Sequence, residues 1–220
     1  MKAILFGSIG TLVETSELQR QSFNLAFKEA GLDWYWNTAT YCKLITEPGG
    51  MKRIKNFDED TLSDADITKI HGLKEDFFAK LVPEKLYLRP NVKQVLNNAT
   101  TKGLRLGFIT TTSQRNIDLL KEGLSLQLDL NVFDLITTAK DVSQTKPNPE
   151  IYHYALDKLN MTAGDAIVIE DTPTNQKCAI SAGLRCVLFP GEYAEIPENN
   201  RYNTLTYNLL DILEPLLIAS

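Results

Sequence analysis

The chain is short of the residues that hold metals or staple secreted folds. Its 220 residues include three cysteines (Cys42, Cys178 and Cys186) and two histidines (His71 and His153). The cysteines are odd in number and form no C-x-x-C pair, so neither a disulfide framework nor a zinc site of the usual spacing is implied. They read as small buried hydrophobes in a reducing compartment. The histidines lie far apart without ligand-like neighbours and read as helix-surface residues. Positive charge is not in excess either. With 23 Lys+Arg against 28 Asp+Glu the formal net charge is -5, which argues against nucleic acid as a partner, because phosphate-backbone binding needs a basic face. No apolar run approaches the roughly 20 residues of a membrane span. The run Met1-Lys2-Ala3-Ile4-Leu5-Phe6 is also too short for a secretion signal. The expectation is a cytoplasmic protein with no membrane partner. Internal repeats and low-complexity tracts are lacking as well.

What is present is enough apolar material, 43% of residues, for one sizeable core or a core with an appendage. The segment Ala3–Phe6 reads as a buried strand ended by a tight loop, Gly7-Ser8-Ile9-Gly10-Thr11. Residues 15–83 read as helices only: one from Ser16 to about Ala30 closed by Gly31, one over 37–46, a break at Pro48-Gly49-Gly50, a basic helix start, and one from Ser63 to about Leu81. From Leu88 strands and helices alternate. Strands are expected at 104–110, 133–137, 166–170 and 185–189, and helices at 91–102, 114–124, 148–159 and 173–182. This alternation predicts an α/β fold with a doubly wound parallel sheet. In such a sheet ligands bind beyond the carboxyl ends of the strands. That rule singles out Gly7–Thr11, Thr110–Ser113, the stretch around Lys146, and Glu170-Asp171-Thr172.

Each of these places offers a defined chemistry. At Ile109-Thr110-Thr111-Thr112-Ser113, a hydroxyl of Thr110, with Thr111 beside it, and backbone N–H groups can cradle phosphate oxygens. Threonine runs also suit strands, but a strand end followed by a helix favours the phosphate role. Lys146 supplies a compact positive charge, and the Pro147-x-Pro149 that follows fixes the chain as it enters a helix. Glu170 and Asp171 end an apolar strand, where adjacent carboxylates suit a hard cation such as Mg²⁺. Asp171 and Thr172 can also cap the next helix.

These segments occur in the order of the four motifs of the haloacid-dehalogenase-type (HAD) phosphohydrolases. Lys146-Pro147-Asn148-Pro149-Glu150-Ile151-Tyr152 stands third, Ile169-Glu170-Asp171-Thr172 fourth, and Ala179 and Ala182-Gly183 follow. The chain resembles that family over essentially its whole length. Leu88-Arg89-Pro90-Asn91-Val92, the threonine run and Gly49-Gly50-Met51-Lys52-Arg53 are also similar to the CbbY-like sugar-phosphate phosphatases, relatives of β-phosphoglucomutase. The resemblance implies a Rossmann-like core (residues 1–14 plus 85–220) with a helical cap (15–84) inserted after the first strand. It also implies phosphate binding by Thr110, Thr111 and Lys146, and a Mg²⁺ cofactor on Asp171 and Glu170. Arg53, Lys52 and Gln19 would be cap residues that meet the substrate.

One motif departs. The family loop reads Asp-x-Asp-Gly-Thr, and this chain has Gly7-Ser8-Ile9-Gly10-Thr11. Gly7 stands at the nucleophile position and Ile9 at the acid/base position, so neither role keeps its usual agent. Asp171 also loses a carboxylate partner, which leaves Mg²⁺ binding weakened or absent. Ser8 is expected to point to the other face of the strand end, and Glu14 to lie beyond the loop. The leading expectation is a catalytically impaired relative that binds inorganic phosphate or a small sugar phosphate. The alternatives are an active phosphohydrolase using Ser8, Glu14, Glu170, Asp171 or direct water attack, and a partner-binding module with a vestigial pocket. Gly7→Asp with Ile9→Asp is expected to restore some phosphatase activity if the rest of the site is intact.

Overall fold

The computed structural model describes residues 1–46, 49–198 and 204–211, with backbone alone for 83–85. Pro48, expected to break the chain, lies outside the described residues. The sheet has strand order β3-β2-β1-β4-β5, built from β1 (Ala3–Phe6), β2 (Arg105–Phe108), β3 (Leu135–Ile136), β4 (Ala166–Glu170) and β5 (Arg185–Leu188). All neighbouring strands pair in parallel, with Phe6 beside Phe108 on one side and Ile169 on the other. Alternate residues of a strand face opposite sides of the sheet, and two apolar layers result. Ile4, Phe6, Leu106, Phe108, Ile167 and Ile169 belong to one. Ala3, Leu5, Ala166 and Val168 belong to the other, under Ile151, Tyr152 and Ala155. A continuously apolar β1 is what burial on both faces requires.

Helices α1 (Ile9–Leu12), α2 (Ser16–Glu29), α3 (Thr38–Leu44), α4 (Gly50–Phe57) and α5 (Asp64–Lys85) lie between β1 and α6 (Val92–Thr101). Then come α7 (Gln114–Gly123), α8 (Glu150–Leu159) and α9 (Pro173–Ser181). Helices α2 to α5 share an aromatic cluster of their own. Trp36, fully buried, packs 4.8 Å from the Phe23 ring and 4.7 Å from Phe27, distances at which aromatic pairs attract beyond their area burial. Ser63 and Asp66 form a capping box at the start of α5. Gly31 closes α2 at φ 76°, a left-handed conformation that costs a glycine nothing.

Several expected boundaries shift. The strand foreseen over 104–110 pairs only over Arg105–Phe108, and that over 133–137 only over Leu135–Ile136. Beyond them a hydroxyl takes over: Thr137 Oγ1 accepts from Thr110 N at 3.0 Å and donates to Thr110 O at 2.8 Å. The tight loop after β1 contains one helical turn, α1. Thr15, not Ser16, occupies the N-cap position of α2, with no side-chain cap bond.

The chain leaves the sheet and returns to it side by side. Val13 and Leu88 form an antiparallel bridge, and Arg89 N donates to Leu12 O at 2.8 Å. Among the described residues no helix is long and apolar enough to cross a membrane.

Candidate functional site

Parallel pairing brings the carboxyl ends of β1, β2 and β4 to one edge. Gly7 continues the ladder through its N–H to Ile169 O at 2.8 Å, and Ile109 N reaches Phe6 O at 2.7 Å. The four places selected from the sequence converge on one cleft of about 300 Å³. Gly7, Ser8, Ile9, Thr110, Thr111, Lys146 and Asp171 line it, with Gln19 and Asn175 at its sides. Ser8, expected on the other face of the strand end, is therefore in the cleft.

The loop carrying Lys146 is fixed by Glu150 at the start of α8, whose carboxylate accepts from Ser143 N at 2.8 Å and Gln144 N at 2.9 Å. Lys146 is 7% exposed. Its ammonium donates to Gly7 O, to Ile109 O at 2.9 Å and to Tyr152 Oη at 3.1 Å, and pairs with Glu170 Oε1 at 2.5 Å. An ammonium has three protons, so protein acceptors already use all of them.

Glu170 is fully buried. The Tyr152 hydroxyl also donates to its Oε1. Burial and then the Glu170 charge push the Tyr152 pKa well above its ordinary value, which keeps that hydroxyl a donor. A Cβ built on Gly7 would stand 2.2 Å from Glu170 Oε1 and 2.5 Å from Tyr152 Oη. The Glu170 carboxylate thus fills the volume that a side chain at position 7 would take. Glu170, foreseen as a metal ligand or substitute nucleophile, is not among the residues that line the cleft. Tyr152 was read only as part of its motif. The signal that could have found it is its place six residues after Lys146, in the first turn of the helix that the lysine precedes.

Asp171 does line the cleft, half-buried. Burial and then the neighbouring Glu170 charge push its pKa up to about 6. Asn175 Nδ2 donates to its Oδ1 at 3.2 Å. Of the two residues considered as caps, Thr172 holds the N-cap of α9, accepting from Asn175 N. A Cβ on Gly10 would lie 2.1 Å from Asp171 Oδ2, so a glycine there allows the carboxylate its position. Glu14 is committed to structure, accepting from Ser16 N at 2.8 Å and Glu192 N at 2.7 Å. Thr110 Oγ1 accepts from Thr112 N at 3.1 Å. Arg89 ties the floor together, donating to Gly10 O at 2.7 Å, Phe189 O at 2.9 Å and Pro190 O at 2.6 Å.

A second cleft, about 520 Å³, opens between the helical insert and α7 and shares Gln19, Thr111 and Thr112 with the first. Arg53 lines it, Nε donating to Leu44 O at 3.0 Å and the guanidinium 5.5 Å from the Tyr41 ring. Lys52 is exposed and lines neither cleft. His71 and Lys74, neither of them expected at a site, line it too. His71, expected on a helix surface, is half-buried, and its pKa is lowered by burial and then by Lys74. Lys74 is 4% exposed, 2.7 Å from Glu75 and 5.3 Å from the Phe23 ring. Burial lowers its pKa. Ile67, Ile70, Lys74 and Phe78 make one buried stripe of α5, and a lysine at helical spacing among apolar residues was the available signal.

A cation at the first cleft would find Asp171 facing it, with Glu170 tied to Lys146. Among the described residues no three His, Cys, Asp or Glu side chains gather in a way that could hold a metal ion.

Residues 4–189 match the family model described as haloacid dehalogenase-like hydrolase. The protein CbbY of Cereibacter sphaeroides is 36% identical over 202 residues, 90% of this chain and 88% of that one. The CbbY of Rhodobacter capsulatus is 35% identical over 197 residues, 88% and 87% of the two chains. Among solved structures, CbbY from Rhodobacter sphaeroides in complex with phosphate superposes with a TM-score of 0.82 at 35% identity, over 94% of each chain. A mutant of it in complex with xylulose-(1,5)bisphosphate gives 0.83 at the same identity and coverage.

Proposed function

The chain belongs to the haloacid dehalogenase-like hydrolase family, and from that premise we propose that it binds a small phosphorylated sugar without turning it over by the family's aspartyl route. The observation that carries this is the Glu170 carboxylate in the volume beside Gly7. With no carboxylate at position 7 and Ile9 at the acid/base position, the cleft lacks the agents by which the family forms a phosphoenzyme and protonates a leaving group. The relatives' ligands, phosphate and xylulose-(1,5)bisphosphate, support a phosphosugar. The helices of residues 15–84 would serve as its cap, with Arg53 and Gln19 facing the ligand, in a cytoplasmic protein.

The residues offer Mg²⁺ only the minimum of its usual donor set. Mg²⁺ in such sites is held by one or two carboxylates plus substrate phosphate and water. Asp171 is the one carboxylate facing the cleft that no buried ion pair or loop bond consumes. Weakened or absent metal binding follows. The reading is tested by steady-state assay of a panel of sugar phosphates with Mg²⁺, alongside mass spectrometry for a covalent adduct. Background rates and no adduct are expected. Turnover that survives stringent purification and is lost in Lys146→Ala would sink it.

A second reading, hydrolysis by direct water attack, draws on Asp171. Of the four substitute groups weighed, Glu170 and Glu14 are engaged elsewhere, leaving Ser8 and Asp171. A carboxylate with a pKa of about 6 suits a general base near neutral pH. Metal-independent hydrolysis abolished by Asp171→Asn would favour it.

A further inference from the structure

The two clefts carry opposite charge. In the first, Lys146 meets Glu170 at 2.5 Å, and the carboxylates of Asp171 and Glu14 line the same space. The one cation lining this cleft is thus held in a buried ion pair, and two carboxylates line the space beside it. In the second, Arg53, Lys74 and Arg115 stand with His71 against Glu75, Arg115 also pairing with the exposed Asp76 at 2.6 Å. Lys74 is almost wholly enclosed and pairs with Glu75 at 2.7 Å, and three cations line this cleft against that one carboxylate. The clefts adjoin, with Gln19, Thr111 and Thr112 in the walls of both.

Given a phosphosugar ligand, as proposed above, we infer that this chain selects a sugar monophosphate, held with its single anionic group in the insert cleft and its hydroxyl end in the sheet-end cleft. A second phosphate would have to enter the sheet-end cleft against Asp171 and Glu14. The one ammonium there has its protons placed on Gly7 O, Ile109 O and the Glu170–Tyr152 pair. Sugar hydroxyls meet the opposite situation. Asp171 accepts hydrogen bonds, and Ser8, Thr111 and Asn175 both donate and accept. A polyol end therefore finds partners where a dianion finds carboxylates.

Isothermal titration in EDTA with a ketopentose 5-phosphate, its 1,5-bisphosphate and inorganic phosphate tests this. The monophosphate is expected to bind at least as tightly as the bisphosphate, and both more tightly than inorganic phosphate. Lys74→Met, which keeps the length of a buried stem, is expected to weaken the monophosphate by about tenfold or more, the loss of one charge-assisted contact. Arg115→Gln, at an exposed position, should weaken it several-fold without touching the core. Asp171→Asn should tighten the bisphosphate relative to the monophosphate. A bisphosphate bound about tenfold more tightly in the wild type overturns the inference and leaves the phosphosugar reading standing. So does monophosphate affinity unmoved by both Lys74→Met and Arg115→Gln. Binding of neither sugar phosphate overturns both.

Discussion

Gly7 and Glu170 share one volume: a Cβ on the glycine would stand 2.2 Å from Oε1 of the glutamate. Gly7→Ala must therefore push a carboxylate out of its ion pair with Lys146. Overpacking of this kind costs about 1–3 kcal/mol, and guanidinium unfolding should show it. In a Glu170→Ala background the same change should be cheaper, and a double-mutant cycle reads the coupling. The sequence alone suggests that Gly7→Asp with Ile9→Asp restores activity in an intact site. With Glu170 in place, the double variant should be less stable than the wild type, and any turnover should require added Mg²⁺.

Lys146 and Glu170 are both buried, so removing one leaves the other charged without a partner. Lys146→Met is expected to destabilise by about 3–5 kcal/mol. Glu170→Gln, which keeps an acceptor for Tyr152, should cost less. Urea unfolding at pH 7 separates the two.

Asp171 gives a pH signature. Its pKa rises from 3.8 unfolded to about 6 folded, so between those values the folded state binds more protons than the unfolded. Stability contributed by this group is then fully present below about 3.8 and lost as pH rises through about 6. The stability of the wild type minus that of Asp171→Asn should grow as pH falls from 6 to 4. A flat difference across that window would contradict it. The comparison isolates Asp171 from carboxylates such as Glu17, whose pKa is held near 2, chiefly by the Arg20 hydrogen bond.

Arg89 holds three carbonyls at once and lies 3.5 Å from the Phe189 ring centroid. Lysine offers a point charge in place of a planar fork. Arg89→Lys is expected to cost about 2 kcal/mol. Amide exchange should rise more over residues 190–194 than in β1.

Much of the architecture was legible because it follows from local pattern. Apolar runs of four or five residues between helical stretches mark the central strands, and Ala166–Glu170 falls where the sequence puts it. The convergence of Thr110, Lys146 and Asp171 was legible too, since strand ends of a parallel sheet must meet. What escaped were relations that no local spacing encodes. Nothing near Glu170 announces that it turns toward Gly7, or that Tyr152 locks it there. That outcome depends on a loop at Gly7, the end of β4 at Glu170 and the first turn of α8 at Tyr152 packing together. His71 and Lys74 escaped for a related reason: an amphipathic pattern shows which face of α5 is buried, but not that the buried face meets α7 across a cleft.

The bridge between Val13 and Leu88 has one more consequence. The two points where the chain crosses between sheet and helical insert are lateral neighbours, a strand spacing apart, so the insert is covalently joined to the sheet at one place, while Leu18, Phe78 and Val82 pack it into the sheet-side core. In evolutionary terms, a segment attached this way is exchangeable. Recombination at one place in space, though at two places in the gene, could replace all of residues 14–87 and leave every strand pairing of the sheet intact.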